Sequence, residues 1–242
     1  MQLDALAYLR RLAIEHPAGG VRRVRLIDVS TPKAAAVCCW YAGLLPELEA
    51  LEVGEGGDGS MVVNPSVFLP WVRKKLEDAG VRFQRISTVE SLEELKTFGH
   101  GILIDASGLV SRTMLDVRDE ELTMDSTYVS VVRSTYGVSV VRSTYGGAFY
   151  TFIFGRGDGS AVVSGISHRR GSRRCEEDCP SVSFGEYQIL QHLVGIRPLR
   201  PVGVRVEKEL PNGRKSTIGG YIHSFGLARK VVRLVDEFAF KF

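Results

Sequence analysis

The sequence predicts an α/β protein with mixed sheets, and three observations carry that prediction. Between residues 64 and 105 a helical stretch, an apolar run, a short helical stretch and a second apolar run follow one another, the alternation that builds a sheet with parallel strands. Residues 150–154 and 161–166 then flank Gly157-Asp158-Gly159-Ser160, a turn signal between two strand-like runs, so an antiparallel hairpin follows. Farther on, Val202, Val204 and Val206 alternate with Gly203, Arg205 and Glu207, the two-residue period of a half-buried strand. With 242 residues, 44% of them hydrophobic, the chain can build one large core or two smaller ones.

Composition narrows the function classes. The formal net charge is +3 with both signs scattered, so there is neither a nucleic-acid footprint nor a membrane-surface stripe. No run of eighteen apolar residues occurs, and Met1-Gln2-Leu3-Asp4 lacks the basic start and apolar core of a signal peptide, which points to an intracellular, by default cytoplasmic, protein. The four cysteines are Cys38-Cys39 and the pair Cys175 and Cys179, too few for a secreted disulfide framework, so reduced thiols are expected. Cys175 and Cys179 with His168 lack the spacing and the fourth ligand that zinc wants, and no metal is expected.

In chain order, Leu3, Leu6, Leu9 and Leu12 recur at helical spacing and Pro17 stops that helix; residues 21–29 then alternate as a strand. Gly54-Glu55-Gly56-Gly57-Asp58-Gly59 spells a literal GxGxxG. A dinucleotide fingerprint must open a helix whose N-terminus holds the pyrophosphate, whereas strand-like Ser60-Met61-Val62-Val63 follows here and two acidic side chains would repel phosphate. It reads as a surface loop. Asn64 is a good N-cap and Pro65 a good first helical residue, with Phe68, Trp71, Val72, Leu76 and Ala79 on one face and Gly80 closing the helix. Trp71 is expected to be buried. Residues 81–86 read as a strand, 91–95 as a short helix and 101–105 as a strand ending at Ala106-Ser107-Gly108, the carboxyl-end turn where such sheets bind ligands.

Val-Ser-Val-Val-Arg-Ser-Thr-Tyr-Gly occurs at 129–137 and again at 138–146. One duplication is far below the repeat number of a solenoid. A nine-residue shift is odd and exchanges strand faces, so the second copy is placed in the sheet and the first in an extra β-arm or loop. Tyr150 and Phe152 lie on one face of the following strand. Residues 168–178 read as a solvated loop, and 184–194 as a helix leading into GIRPLRPVGVRVE at 195–207. There two prolines stiffen the chain around Arg197 and Arg200, and a rigid guanidinium beside a strand suits bidentate capture of a carboxylate. Pro211-Asn212-Gly213 then turns the chain, 217–222 returns as a strand, and 224–238 is the last helix. His223 stands at that strand's end with no base or metal partner in sight.

Five stretches resemble the D-amino-acid oxidase family in the same order: VVNPSVFLPWVRKKLEDAGVRF at 62–83, Ile104-Asp105-Ala106-Ser107-Gly108, RSTYGGAFYTFIFGRGDG at 142–159, GIRPLRPVGVRVEKE at 195–209 and SFGLARKVVRLVDEF at 224–238. The resemblance implies a remnant of an FAD-binding Rossmann-like layer (residues 1–30, 64–117 and 216–242) interleaved with an antiparallel-sheet substrate domain (31–63 and 118–215). It implies FAD as cofactor and a D-amino acid as substrate, with Arg197 on the substrate carboxylate, Tyr150 against the substrate, and Ala106, Ser107 and Gly108 bordering FAD. The alternative places Phe152, two residues on and without the hydroxyl, at the position of the family tyrosine. The family opens with a strand, a GxGxxG turn and a helix, and this chain begins downstream of that unit; its glycine-rich loop ahead of the last helix is also short. A catalytically inactive remnant serving as a fold or partner-binding module is therefore the alternative. An exposed sheet edge would favour self-association. The family is peroxisomal, and no peroxisomal tripeptide closes this chain.

Overall fold

A computed structural model describes residues 2–28, 56–134, 140–146, 149–167, 187–199 and 221–239. Helix α1 (Gln2–Glu15) precedes strands β1 (Val21–Asp28) and β2 (Gly56–Val63), helix α2 (Pro65–Asp78), strands β3 (Thr123–Ser134), β4 (Val140–Gly146), β5 (Phe149–Gly155), β6 (Ser160–Ser167) and β7 (Tyr187–Leu199), and helix α3 (Tyr221–Ala239). The strands form one mixed sheet in the order β2-β1-β4-β5-β6-β3-β7. β1 and β4 run parallel, while β1–β2, β4–β5, β5–β6 and β3–β6 are antiparallel. The expected α/β class with mixed sheets is the architecture found. Two compact units divide the chain, one of residues 1–8, 82–126 and 196–242 and the other of 9–81 and 127–195.

In the second unit the core lies where the local signals put it. Pro17 ends α1, a 3-10 turn (Pro17–Gly19) follows, and the Asn64 N–H donates to the Gly20 carbonyl at 2.8 Å, so the starts of β1 and α2 meet. Gly20 is required there: its φ is 72°, and a Cβ would run into Val67. Val21, Val24, Val62 and Phe68 are buried beside this junction. Trp71 is half-buried rather than buried, because its ring lies flat on Gly19, 3.3 Å from where a Cβ would stand, and remains open on its outer side to Lys75. Across the sheet, Val132, Ile153 and Ala161 form a core cluster with Val163 packed against it.

Several expectations are corrected. The GxGxxG stretch is not a loop in its described part, since Gly56 and Gly57 open β2 and pair with Ile27 and Leu26 of β1. That excludes a dinucleotide fingerprint more firmly than a loop would, because a strand offers no helix N-terminus. Residues 81–86 and 101–105 are not strands, and the helix at 91–95 is a 3-10 helix, Leu92–Phe98. Apolar alternation makes a strand only where a neighbour completes the ladder, and among the described residues none does; Val81, Phe83, Ile86, Ile102, Leu103 and Ile104 stay exposed. Residues 187–194 belong to β7 rather than to a helix, since a short apolar run fits either period and the open edge of β3 decided it. His223 lies in the first turn of α3, not at the end of a strand. The first copy of the duplicated nonapeptide is sheet as well, pairing along β6 from Val129 to Arg133. Cys38, Cys39, the 168–178 loop with Cys175 and Cys179, the strand from Val202, the turn at Pro211 and the return strand at 217–220 lie outside the described residues.

In the first unit, residues 90–122 form a compact irregular segment held by side chains acting as caps. Glu94 accepts from the N–H groups of Glu90 and Ser91, and the Asp116 carboxylate accepts from those of Leu92 and Glu93, at 2.9 to 3.1 Å. These anions satisfy otherwise orphaned donors at the start of the 3-10 helix. Met114 and Leu122 fill its interior. The same unit joins the first turns of α1 to α3 through a Tyr8–Phe225 stack with ring centroids 4.3 Å apart and an Asp4–Arg229 pair at 3.1 Å.

Candidate functional site

The turn at 105–108 is built from its own sequence. The Asp105 carboxylate accepts from the Ser107 N–H at 2.9 Å through one oxygen and from the Ser111 hydroxyl at 3.3 Å through the other, while the Ser107 and Ser111 hydroxyls meet at 2.8 Å. Asp105 therefore folds the backbone over itself in an Asx turn, and fully buried Ser111 anchors it from below. Gly108 then takes φ 65° and opens a 3-10 helix, Gly108–Arg112, with nothing within 4 Å of where its Cβ would stand. Ala106 and Ser107 are exposed beside it. Backbone with open space on its outer side is what a flat ring or a phosphate needs for close approach.

Tyr150 sits in β5, paired with Tyr145 of β4 and Ile166 of β6. Arg197 sits in β7, followed by Pro198, and β7 ends the sheet order, the kind of position where a proline costs no ladder bond. The backbone is extended at Arg197. Ala106, Ser107, Gly108 and Arg197 fall in the first compact unit and Tyr150 in the second.

Two constellations were not foreseen from sequence. Asn64, almost fully buried, caps α2 through its Oδ1 to the Ser66 N–H at 3.2 Å and donates its Nδ2 to Asp158 Oδ2 at 2.9 Å, pinning the β5–β6 turn to the helix start. Burial works against the charge of Asp158, but hydrogen bonds from the Ser160 hydroxyl, the Ser160 N–H and Asn64 outweigh it and hold the carboxyl below its ordinary value. The second is His192 of β7, whose Nδ1 meets the hydroxyls of Tyr128 and Ser130 of β3. The cap was readable locally; the partners, 94, 64 and 62 residues apart, carried no sequence signal.

The donor set suits FAD along one edge only. The 105–108 turn offers open backbone, and among the described residues no helix start with a glycine loop offers a phosphate cradle.

No family model matches the sequence. The chain is similar to a D-amino-acid oxidase of Fusarium vanettenii, 25% identical over 281 residues that take in 94% of this chain and 78% of the relative. Among solved structures it is similar to glycine oxidase from Geobacillus kaustophilus, with a TM-score of 0.65 and 16% identity over 97% of this chain and 77% of that one. Iminodiacetate oxidase from Chelativorans sp. BNC1 gives a TM-score of 0.59 and 13% identity over 93% and 76%. The fold is that of these two structures. In sequence the chain is similar to that D-amino-acid oxidase. No described helix is long and apolar enough to cross a membrane.

Proposed function

We propose that the chain performs FAD-dependent oxidative deamination of D-amino acids, in which the amino acid, oxygen and water give a 2-oxo acid, ammonia and hydrogen peroxide. The observation that carries this reading is the similarity to a D-amino-acid oxidase along 94% of the chain. FAD, when bound, supplies the two-electron chemistry; the protein supplies binding and orientation. In this reading Arg197 holds the substrate carboxylate, Tyr150 borders the substrate, and Ala106, Ser107 and Gly108 approach the cofactor with backbone alone. Residues 1–30, 64–117 and 216–242 serve the cofactor side, and 31–63 with 118–215 the substrate side. The test is peroxide release from a panel of D- and L-amino acids with FAD added. Arg197→Met should cost about 2–5 kcal/mol in kcat/KM, since a charge-assisted bidentate partner is lost. Equal rates for wild type and variant at limiting substrate would remove Arg197 from the site.

The second reading, an inactive remnant that serves as a fold or binding module, rests on two departures from the family in the sequence, the tandem nonapeptide at 129–146 and the short glycine-rich loop ahead of the last helix. The exposed apolar residues at 81–86 and 102–104 would suit self-association in that case. Purified protein lacking the flavin absorbance bands after incubation with FAD and gel filtration supports this reading; near-stoichiometric flavin supports the first.

A further inference from the structure

Strand β7 lacks the usual device that fixes a strand's register. Hydrophobic burial selects a register because a slip of one residue exchanges the two faces, so the choice is sharp only where one face is covered. Among the described side chains of β7, Ile189 and Leu193 on one side and Leu190, Val194 and Ile196 on the other are exposed, and Pro198 is half-buried. Sliding β7 along β3 would therefore change little apolar burial.

What distinguishes one register is a polar contact. Tyr128 and Ser130 lie two residues apart on β3 and share a face. The His192 imidazole meets both, its Nδ1 against the Tyr128 hydroxyl and 3.0 Å from the Ser130 hydroxyl, with the Tyr128 and His192 rings stacked at 5.4 Å and 25°. A one-residue slip carries position 192 to the other face and loses both bonds. A two-residue slip brings Leu190 or Val194 to the place of His192, and neither has an atom that hydrogen-bonds a hydroxyl.

We infer that Tyr128, Ser130 and His192 are positioning residues that set the register of β7, and through it the place of Arg197, five residues further along the same strand. The part concerning Arg197 rests on its proposed role as carboxylate clamp; the register part stands on the β3–β7 geometry alone. Position 197 alternates with 192 along the strand, so a one-residue slip of β7 against β3 would exchange the face that position 197 takes. The three residues touch neither substrate nor cofactor in this account and act only through the strand.

The test reads the register directly and ligand binding separately. Backbone amide NOEs between β3 and β7 report the register, and calorimetric titration of the FAD-supplemented protein with a D-amino acid reports the clamp. His192→Leu keeps bulk and removes Nδ1; it should abolish the wild-type NOE pattern and weaken binding at least tenfold. His192→Asn, whose side-chain amide can stand where Nδ1 stood, should restore both. Wild-type NOEs in His192→Leu overturn the inference. A shifted pattern in His192→Leu together with unchanged binding in Arg197→Met supports the register assignment and overturns the clamp, so the two failures are distinguishable.

Discussion

The same nine residues occur twice in succession, and the molecule uses each copy as a strand in a different setting. The described part of the first copy, 129–134 in β3, pairs antiparallel with β6; that of the second, 140–146 in β4, pairs antiparallel with β5 and parallel with β1. The two flank the β5–β6 hairpin from opposite sides. Their faces are exchanged: Arg142 shares a ladder row with Ile153, Val163 and Ser130, whereas Arg133, its counterpart, pairs with Ser160 on the other face. A duplication of odd length thus gave two strands of one sequence with opposite orientation. Val-Ser-Val-Val-Arg-Ser tolerates this because it carries adjacent valines, so either face receives a β-branched side chain. In the first copy both Val131 and Val132 are buried. Sequence composition set the strand propensity, and the neighbours set the face.

Excision of one copy should have the largest effect, and deleting 129–137 or 138–146 yields the same polypeptide. Residues 123–128 already run into the β6 register, so the single copy is expected to remain there and leave β1 and β2 without β4. Losing the ladders of β4, at roughly 0.5–1.5 kcal/mol for each hydrogen bond, costs several kcal/mol. Amide exchange should show protection lost along β1 and β5 and kept along β3 and β6. Full protection on both sides of the hairpin would mean that the second copy contributes nothing to the sheet.

Next in size is Val132→Asp in the first copy. Val132 packs with Ile153 and Ala161, where a carboxylate has no partner among the described residues, and an uncompensated buried charge costs about 3–5 kcal/mol. Its neighbour Arg133 is exposed, so Arg133→Ala should stay within about 0.5 kcal/mol in denaturant unfolding. Similar losses for the two substitutions would contradict the assignment of faces.

The fold was legible wherever the determining contacts are local. Asn64 and Pro65 announced α2, the apolar leucines announced α1, and Gly157 with Gly159 announced the hairpin turn, because caps and positive φ are properties of a few consecutive residues. Residues 81–86, 101–105 and 184–194 misled for one reason. Periodicity describes the side chains, while a strand exists only through hydrogen bonds to a distant neighbour, and no short window contains that neighbour. Of the candidate site, the glycine turn at 108 was readable from Asp105 and Gly108. The His192 contact was not, since histidine in an apolar run gives no sign of a tyrosine and a serine 64 and 62 residues earlier.

The smallest effect sharpens the comparison at the hairpin that both copies flank. Its tip is held by Asp158, which accepts from the Ser160 N–H and hydroxyl and from Asn64. These bonds favour the carboxylate and hold its folded-state value below the ordinary one. A depressed acid contributes stability that is present above its unfolded-state value and is lost as pH falls through the folded one. Wild-type stability should accordingly decline on acidification below the ordinary carboxylate range, while Asp158→Asn, which carries no charge to protonate, should show a flatter profile. The side chain is exposed, so the difference at neutral pH should not exceed about 1 kcal/mol. Asn64→Ala should cost more, about 1–2 kcal/mol, because it removes the N-cap of α2 together with the tie to the hairpin. Both are read from urea midpoints measured across the acid range. Parallel profiles for wild type and Asp158→Asn would show that the tip is held without the carboxylate's charge, and the β5–β6 hairpin would then owe its place to the two flanking copies alone.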